Sequence, residues 1–144
     1  MTDAEFAGWR ERAAESFAAG IGPAQRMDPA DALEFAYRET DRLLPKGQTT
    51  ENHLIWLAYA GDGPVGSLWI NTRPRGAFIY GIEVDADQRG KGYGRAIMLA
   101  GEDECRRLGF SRLDLNVFGD NSTAIKLYES LGYTVTSQQM RKEL

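Results

Sequence analysis

Residues 89–95 read Arg-Gly-Lys-Gly-Tyr-Gly-Arg, with three glycines and three cations in seven positions. Glycine admits positive φ and lets the backbone approach a ligand with no Cβ in the way. Successive main-chain N–H groups in such a run can form a concave anion site. A helix that starts where the run ends adds free N–H groups and the positive end of its dipole. Arg89, Lys91 and Arg95 bring further positive charge. The chemistry favoured is the binding of a phosphate-bearing ligand. Two common phosphate loops do not fit. A triphosphate loop needs Lys followed by Ser or Thr, and Lys91 is followed by Gly92. A dinucleotide loop needs G-x-G-x-x-G after the first strand of a βαβ unit, whereas these glycines fall at 90, 92 and 94 after strands that read as antiparallel. By itself the run reads equally well as a glycine-rich turn with solvated cations.

A second stretch, LNVFGDNSTAIKLYESLGYTV at 115–135, sets Asn121 ahead of a short helix, then Tyr128, then Gly132-Tyr133. Together the two stretches carry a resemblance. Arg89-x-x-Gly92-x-Gly94 resembles the R/Q-x-x-G-x-G/A acetyl-CoA loop of the GCN5-related N-acetyltransferase (GNAT) superfamily. Asn-x-x-Ala-x-x-Leu-Tyr-x-x-x-Gly-Tyr, from Asn121 to Tyr133, is similar to the second signature of that superfamily. The resemblance spans residues 53–144. It implies direct transfer of an acetyl group from acetyl-CoA, a cosubstrate, to a primary amine of a small molecule, peptide or protein, with no metal. It places the pyrophosphate on the loop amides of Gly90, Lys91, Gly92, Tyr93, Gly94 and Arg95, beside Arg89. It lays the pantetheine arm along a strand at Ile82, Glu83 and Val84, in a splay between parallel strands ending near Val84 and Val117. Asn116 and Asn121 are then further cofactor-binding positions, and Tyr128 protonates the departing thiolate. A nearby O–H donor suits that task. Read without the family, Tyr128 is a core aromatic on the apolar face of its helix.

Acetyl transfer needs a neutral amine, yet a free amine with a pKa of about 10 is protonated at neutral pH. A proton acceptor is therefore required. Glu83 is the foremost candidate, ahead of Tyr80 and Asp85, because it lies on the strand before the loop. Alternation puts Phe78, Tyr80, Ile82 and Val84 on one face of that strand, and Glu83 on the other with Ile79, Gly81 and Asp85. Glu83 is otherwise a surface carboxylate. Relatives that acetylate the N-termini of ribosomal proteins carry a glutamate base at the position of Asn116. An amide cannot serve there, which sets that substrate class in doubt and favours Glu83. His53 opens a strand and reads as structural or exposed; Cys105 sits at helical spacing and reads as packing. No Cys/His/Asp constellation supports an acyl-enzyme.

The elements that must hold these residues follow from periodicity. Residues 3–20 form a helix with Phe6, Trp9, Ala13 and Phe17 on one face, stopped by AAGIGP at 18–23. Asp28-Pro29 caps and starts a second helix, ended by Pro45-Lys46-Gly47. From residue 53 the period becomes two, with strands over 53–59, 65–71 and 77–84. A helix over 93–108, a strand over 112–118, a helix over 122–131 and a strand over 133–140 complete the order α-α-β-β-β-α-β-α-β. The order gives one α/β domain with a mixed sheet. The resemblance implies the single-domain N-acetyltransferase fold, its mostly antiparallel sheet flanked by helices, with residues 1–50 as the acceptor side and 53–144 as the acetyl-CoA-binding core. Their aromatics, Trp9, Phe17, Phe35, Tyr37, Trp56 and Trp69, with Glu34 and Glu39, suit an amine pocket, although most read better as core.

Composition agrees with this reading. The 144 residues carry a net charge of −4. This argues against a general nucleic-acid binder. No apolar run approaches the ~20 residues of a membrane span, and the N-terminus lacks the apolar stretch of a secretion signal. One cysteine allows no internal disulfide. The cytoplasm is the expected compartment. The superfamily commonly begins with a strand, whereas this sequence opens directly on the first helix: either the strand is missing, or the true start lies upstream, or another element covers that sheet edge. An uncovered sheet edge invites pairing, so a homodimer is expected. A catalytically weak acyl-CoA-binding regulatory module is the alternative function.

Overall fold

The computed structural model describes residues 1–144. Four helices, α1 (Asp3–Gln25), α2 (Pro29–Leu43), α3 (Tyr93–Arg107) and α4 (Ser122–Ser130), surround a sheet of four strands. These are β1 (His53–Ala60), β2 (Gly63–Asn71), β3 (Ala77–Val84) and β4 (Leu113–Leu115), in that spatial order. β1, β2 and β3 are antiparallel neighbours, and β4 joins β3 in parallel. No helix is long and apolar enough to cross a membrane.

Local chemistry explains most boundaries. Thr2 caps α1 in a capping box with Glu5, and the Asp28 side chain accepts from the Ala30 N–H ahead of Pro29 in α2. One face of the sheet packs on α3 and α4 through Leu68, Ile70, Ile79, Met98 and Tyr128. The other packs on α1 and α2 through Trp9, Leu44 and Trp69, with the Trp9 and Trp69 rings edge-on at 5.3 Å. Leu68, Ile70 and Met98 are almost wholly buried. Each contributes about 1.5–3 kcal/mol by leaving water.

Four expectations are corrected. First, α1 does not stop at Gly20 but runs through Gly22 and Pro23 to Gln25, ending at Arg26 in a left-handed conformation (φ 53°). Pro23 falls in the last turn. The glycines serve close approach: a Cβ on Gly20 would lie 2.3 Å from the Phe118 ring, and one on Gly22 3.3 Å from the Ala32 Cβ.

Second, β4 spans only 113–115 rather than 112–118. Third, residues 133–140 form no strand. Val135 and Met140 are an odd number of residues apart, so a strand would send them to opposite faces, and the residues between them are polar. Both stay exposed, at 69% and 90%. The tail instead returns to α1, where Arg141 donates to the Ala24 carbonyl at 2.7 Å.

Fourth, the faces of β3 differ from simple alternation. The β2–β3 register slips between Trp69 and Ile70, where Trp69 opposes Gly81 and Ile70 opposes Ile79. The extra residue is a bulge. It puts Ile79 on the same face as Ile82 and Val84, packed towards α3. Tyr80 stacks near Trp69 at 5.0 Å, on the α1/α2 side.

Candidate active site

β4 stops opposite Ile79, so β3 continues from Tyr80 to Val84 with no strand on its β4 side. The β2 side of this stretch is occupied. The Asp85 N–H donates to the Val65 carbonyl, and the Glu83 carbonyl points at Gly66, where a Cβ would lie only 2.1 Å from it. No side chain fits at Gly66. Backbone groups alternate along a strand. Those of Ile82 and Val84 therefore face the open side, as the Arg89 Nε bond to the Val84 carbonyl confirms at 3.1 Å. A strand edge with free N–H and C=O groups is a template for an extended polar chain.

The glycine loop lies at the end of this edge. Gly90 and Gly92 have φ of 77° and 84°, and nothing would obstruct a Cβ at either. Conformation requires glycine there. Gly94 serves packing instead, since a Cβ would meet Leu127 at 3.3 Å and Val84 at 3.6 Å. Gly92 is the N-cap of α3 and supplies no side-chain cap. The first N–H groups of α3 thus remain for a ligand. Three side-chain bonds brace the loop: Arg89 as above, Lys91 Nζ to the Gln88 side chain at 3.1 Å, and Arg95 to the Ser130 hydroxyl on α4.

A cavity of about 1320 Å³ joins the loop, the open edge of β3, α4 and the inner face of α1. Of the residues singled out in the sequence, Ile82, Glu83, Val84, Asp85, Arg89, Gly90, Gly92, Tyr93, Gly94, Asn121 and Tyr128 line it. Tyr80, Lys91, Arg95 and Asn116 do not. Asn121 is committed locally, its Oδ1 accepting from the Ala124 N–H at 3.2 Å to cap α4.

Tyr128 is 9% exposed, and its hydroxyl makes no hydrogen bond to the protein. Burial raises its pKa. It therefore keeps its proton through neutral pH. Tyr133 holds the ring edge-on at 6.0 Å while its own hydroxyl donates to Glu102 at 3.2 Å. Glu83 is half-buried opposite Ser67 on β2. Burial pushes its carboxyl up from the usual range, opposed by Ser16 and Arg12 on α1, while Asp85 adds to the rise. Such a carboxylate is a stronger proton acceptor than an exposed one. His53 is structural: its Nδ1 accepts from Trp69 Nε1 at 2.9 Å. Cys105 is buried in the core. Trp9 and Trp69 are core as well, and Glu34 and Glu39 pair with Arg38 and Arg42 outside the cavity.

The acceptor-side wall was not foreseen. Ala4, Gly8, Arg12, Glu15, Ser16 and Ala19 form it, all from α1. Its signal in the sequence is the small residues at 4, 8 and 19, which return to one helical face and leave a groove.

Free N–H groups at a helix start, an open strand edge and a tyrosine hydroxyl that opens on the same cavity are features that an acyl-CoA-dependent acyltransferase requires. The comparisons with known proteins then give the family. The model of the Acetyltransferase (GNAT) family matches residues 16–133, and the chain belongs to that family. The uncharacterized N-acetyltransferase YdgE of Bacillus subtilis is 32% identical over 149 residues, covering 100% of this chain and 95% of YdgE. YycN of the same organism is 36% identical over 121 residues, covering 81% and 78% of the two chains. The crystal structure of YycN superposes with a TM-score of 0.93 at 33% identity over 100% of this chain and 95% of that one. The PaiA N-acetyltransferase of Thermoplasma acidophilum, solved with coenzyme A, shares the fold at a TM-score of 0.75 and 16% identity, covering 96% and 89%. The chain is an acetyl-CoA-dependent N-acetyltransferase, and the binding-module alternative is not favoured.

Proposed function

We propose that the protein binds acetyl-CoA along the open edge of β3 and transfers its acetyl group to an amine entering from the α1 side. The observation that carries this reading is the single cavity running from the uncapped start of α3, past Tyr128, to Glu83 and α1. The residues fit the ligand. The N–H groups at Gly92–Gly94 suit a pyrophosphate, and the open-side backbone of Ile82 with the Val84 N–H suits an amide-bearing arm. The cosubstrate supplies the acetyl group as a thioester. Glu83 accepts the proton of the incoming amine, directly or through water, and the Tyr128 hydroxyl donates one towards the leaving sulfur. Lys91 and Arg95 act by bracing the loop and adding positive field. Asn116 belongs to this proposal only as a position beside the splay. The acceptor is a small-molecule, peptide or protein amine, and the reaction belongs in the cytoplasm.

Binding is tested by melting the protein with and without acetyl-CoA. A ligand at about 100 times its Kd should raise Tm by about 5–10 °C. An unchanged Tm at saturation would remove the reading. β1 is an edge strand with no partner on its outer side. A homodimer joined there completes the proposal, and a monomer mass at every concentration tested would exclude it.

A further inference from the structure

The cavity face of α1 carries an exposed charge that acetyl transfer to a simple amine does not use. Every other arginine of the helical hairpin is paired: Arg10 with Asp41, Arg26 with Glu143, Arg38 with Glu34 and Arg42 with Glu39. Arg12 makes no ion pair and no hydrogen bond, yet it lines the cavity. Helical side chains lean towards the N-terminus, and Gly8, one turn back, gives this one room. A Cβ on Gly8 would lie 3.2 Å from Arg12 Nη1. The guanidinium therefore lies along the cavity wall, with its fork of donors free.

We infer that the acceptor is an amino acid, its amine directed to Glu83 and its carboxylate to the guanidinium of Arg12. This rests on the acetyl-transfer reading above and names its substrate class. Arg12 and Glu83 line the same acceptor half of the cavity, with Ser16, one turn beyond Arg12, facing the Glu83 carboxyl. The Arg12 charge reaches that carboxyl and opposes its rise in pKa. Four more carboxylates line the cavity: Glu5 is held by the Thr2 N–H at 2.6 Å in the capping box, Glu15 forms no ion pair with Arg12, and Asp85 and Asp87 stand after β3, at the cosubstrate end. A purely cationic acceptor would bring like charge against Arg12. An acceptor with both signs meets a partner for each.

The test measures thiol release with α-, β- and γ-amino acids, each paired with its own carboxamide. Amides of α-amino acids have the less basic amine, so intrinsic reactivity at neutral pH favours the amide. The expected result is the reverse, with at least one acid exceeding its amide in kcat/KM by about tenfold or more. Arg12→Gln should erase that preference, lowering the acid-to-amide ratio of kcat/KM about tenfold, a ratio that cancels any effect on both substrates through Glu83. Arg12→Lys should fall between, keeping the charge and losing the fork. The Tm rise with acetyl-CoA should be the same in all three proteins. Equal or better use of amides by the wild type, a preference that survives Arg12→Gln, or no acid acetylated by a protein that still binds acetyl-CoA would each overturn the inference. Loss of the Tm rise in the wild type would instead overturn the transferase reading beneath it.

Discussion

Replacing Tyr128 by phenylalanine is expected to lower kcat roughly 100-fold while leaving acetyl-CoA affinity within about twofold. The expectation rests on what the hydroxyl does not do. It makes no hydrogen bond within the protein, so its removal breaks no structural contact. The ring keeps its place in the core beside Tyr133. Stability should therefore stay close to that of the wild type. Burial holds the phenol protonated at neutral pH, which is the state a proton donor needs. The check is steady-state kinetics together with a melting curve of the mutant. Wild-type turnover would remove Tyr128 from the chemistry, and a large fall in Tm would make its role a packing one.

The second large effect is at Glu83. Glu83→Gln should reduce kcat/KM at neutral pH by about 100-fold or more, with activity recovering as pH rises and the free amine deprotonates in solution. A mutant pH profile unchanged from the wild type would reject Glu83 as the base. The same substitution has a stability signature of known sign. The folded-state pKa of Glu83 lies above its unfolded value, because burial disfavours the charge. On raising pH the unfolded chain ionises first and is favoured. Wild-type stability relative to the glutamine variant is thus fully present below the unfolded pKa, near 4.5. It is lost as pH rises through the folded pKa. The Tm of Glu83→Gln minus that of the wild type should grow from acid to neutral pH. A residue that gives up stability for reactivity in this way is expected at an active site.

Much of this site was legible in the chain. Asp28-Pro29 marks the start of α2, and the end of the glycine run marks the start of α3, while the class of ligand came only from the resemblance that the two motifs carry together. Asn121, Tyr128 and Glu83, which that resemblance groups, line one cavity. The misses have a common cause. Gly20, Gly22 and Pro23 read as stops locally, but tertiary contacts with Phe118 and Ala32 use the small residues for packing. The β-prone tail at 133–140 has no apolar face to bury, and it returns to α1 instead of joining the sheet. Arg12 was invisible as a site residue because nothing in a helical pattern says which arginine will lack a partner. That is decided by Asp41, Glu34, Glu39 and Glu143 meeting the others.

The bulge in β3 has a meaning for how this enzyme can change over generations. Side chains on a strand have only two directions, so the extra residue at Tyr80-Gly81 acts as a parity bit for everything up to Val84. Loss of a single codon there would turn Glu83 into the apolar core and expose Ile82 to the acceptor. Substitutions along this strand can be tried one at a time and tuned. Insertions and deletions cannot, since each inverts the strand and a second one must restore it. The route to new acceptors therefore runs through α1, whose side chains can vary without disturbing the reading frame of the sheet.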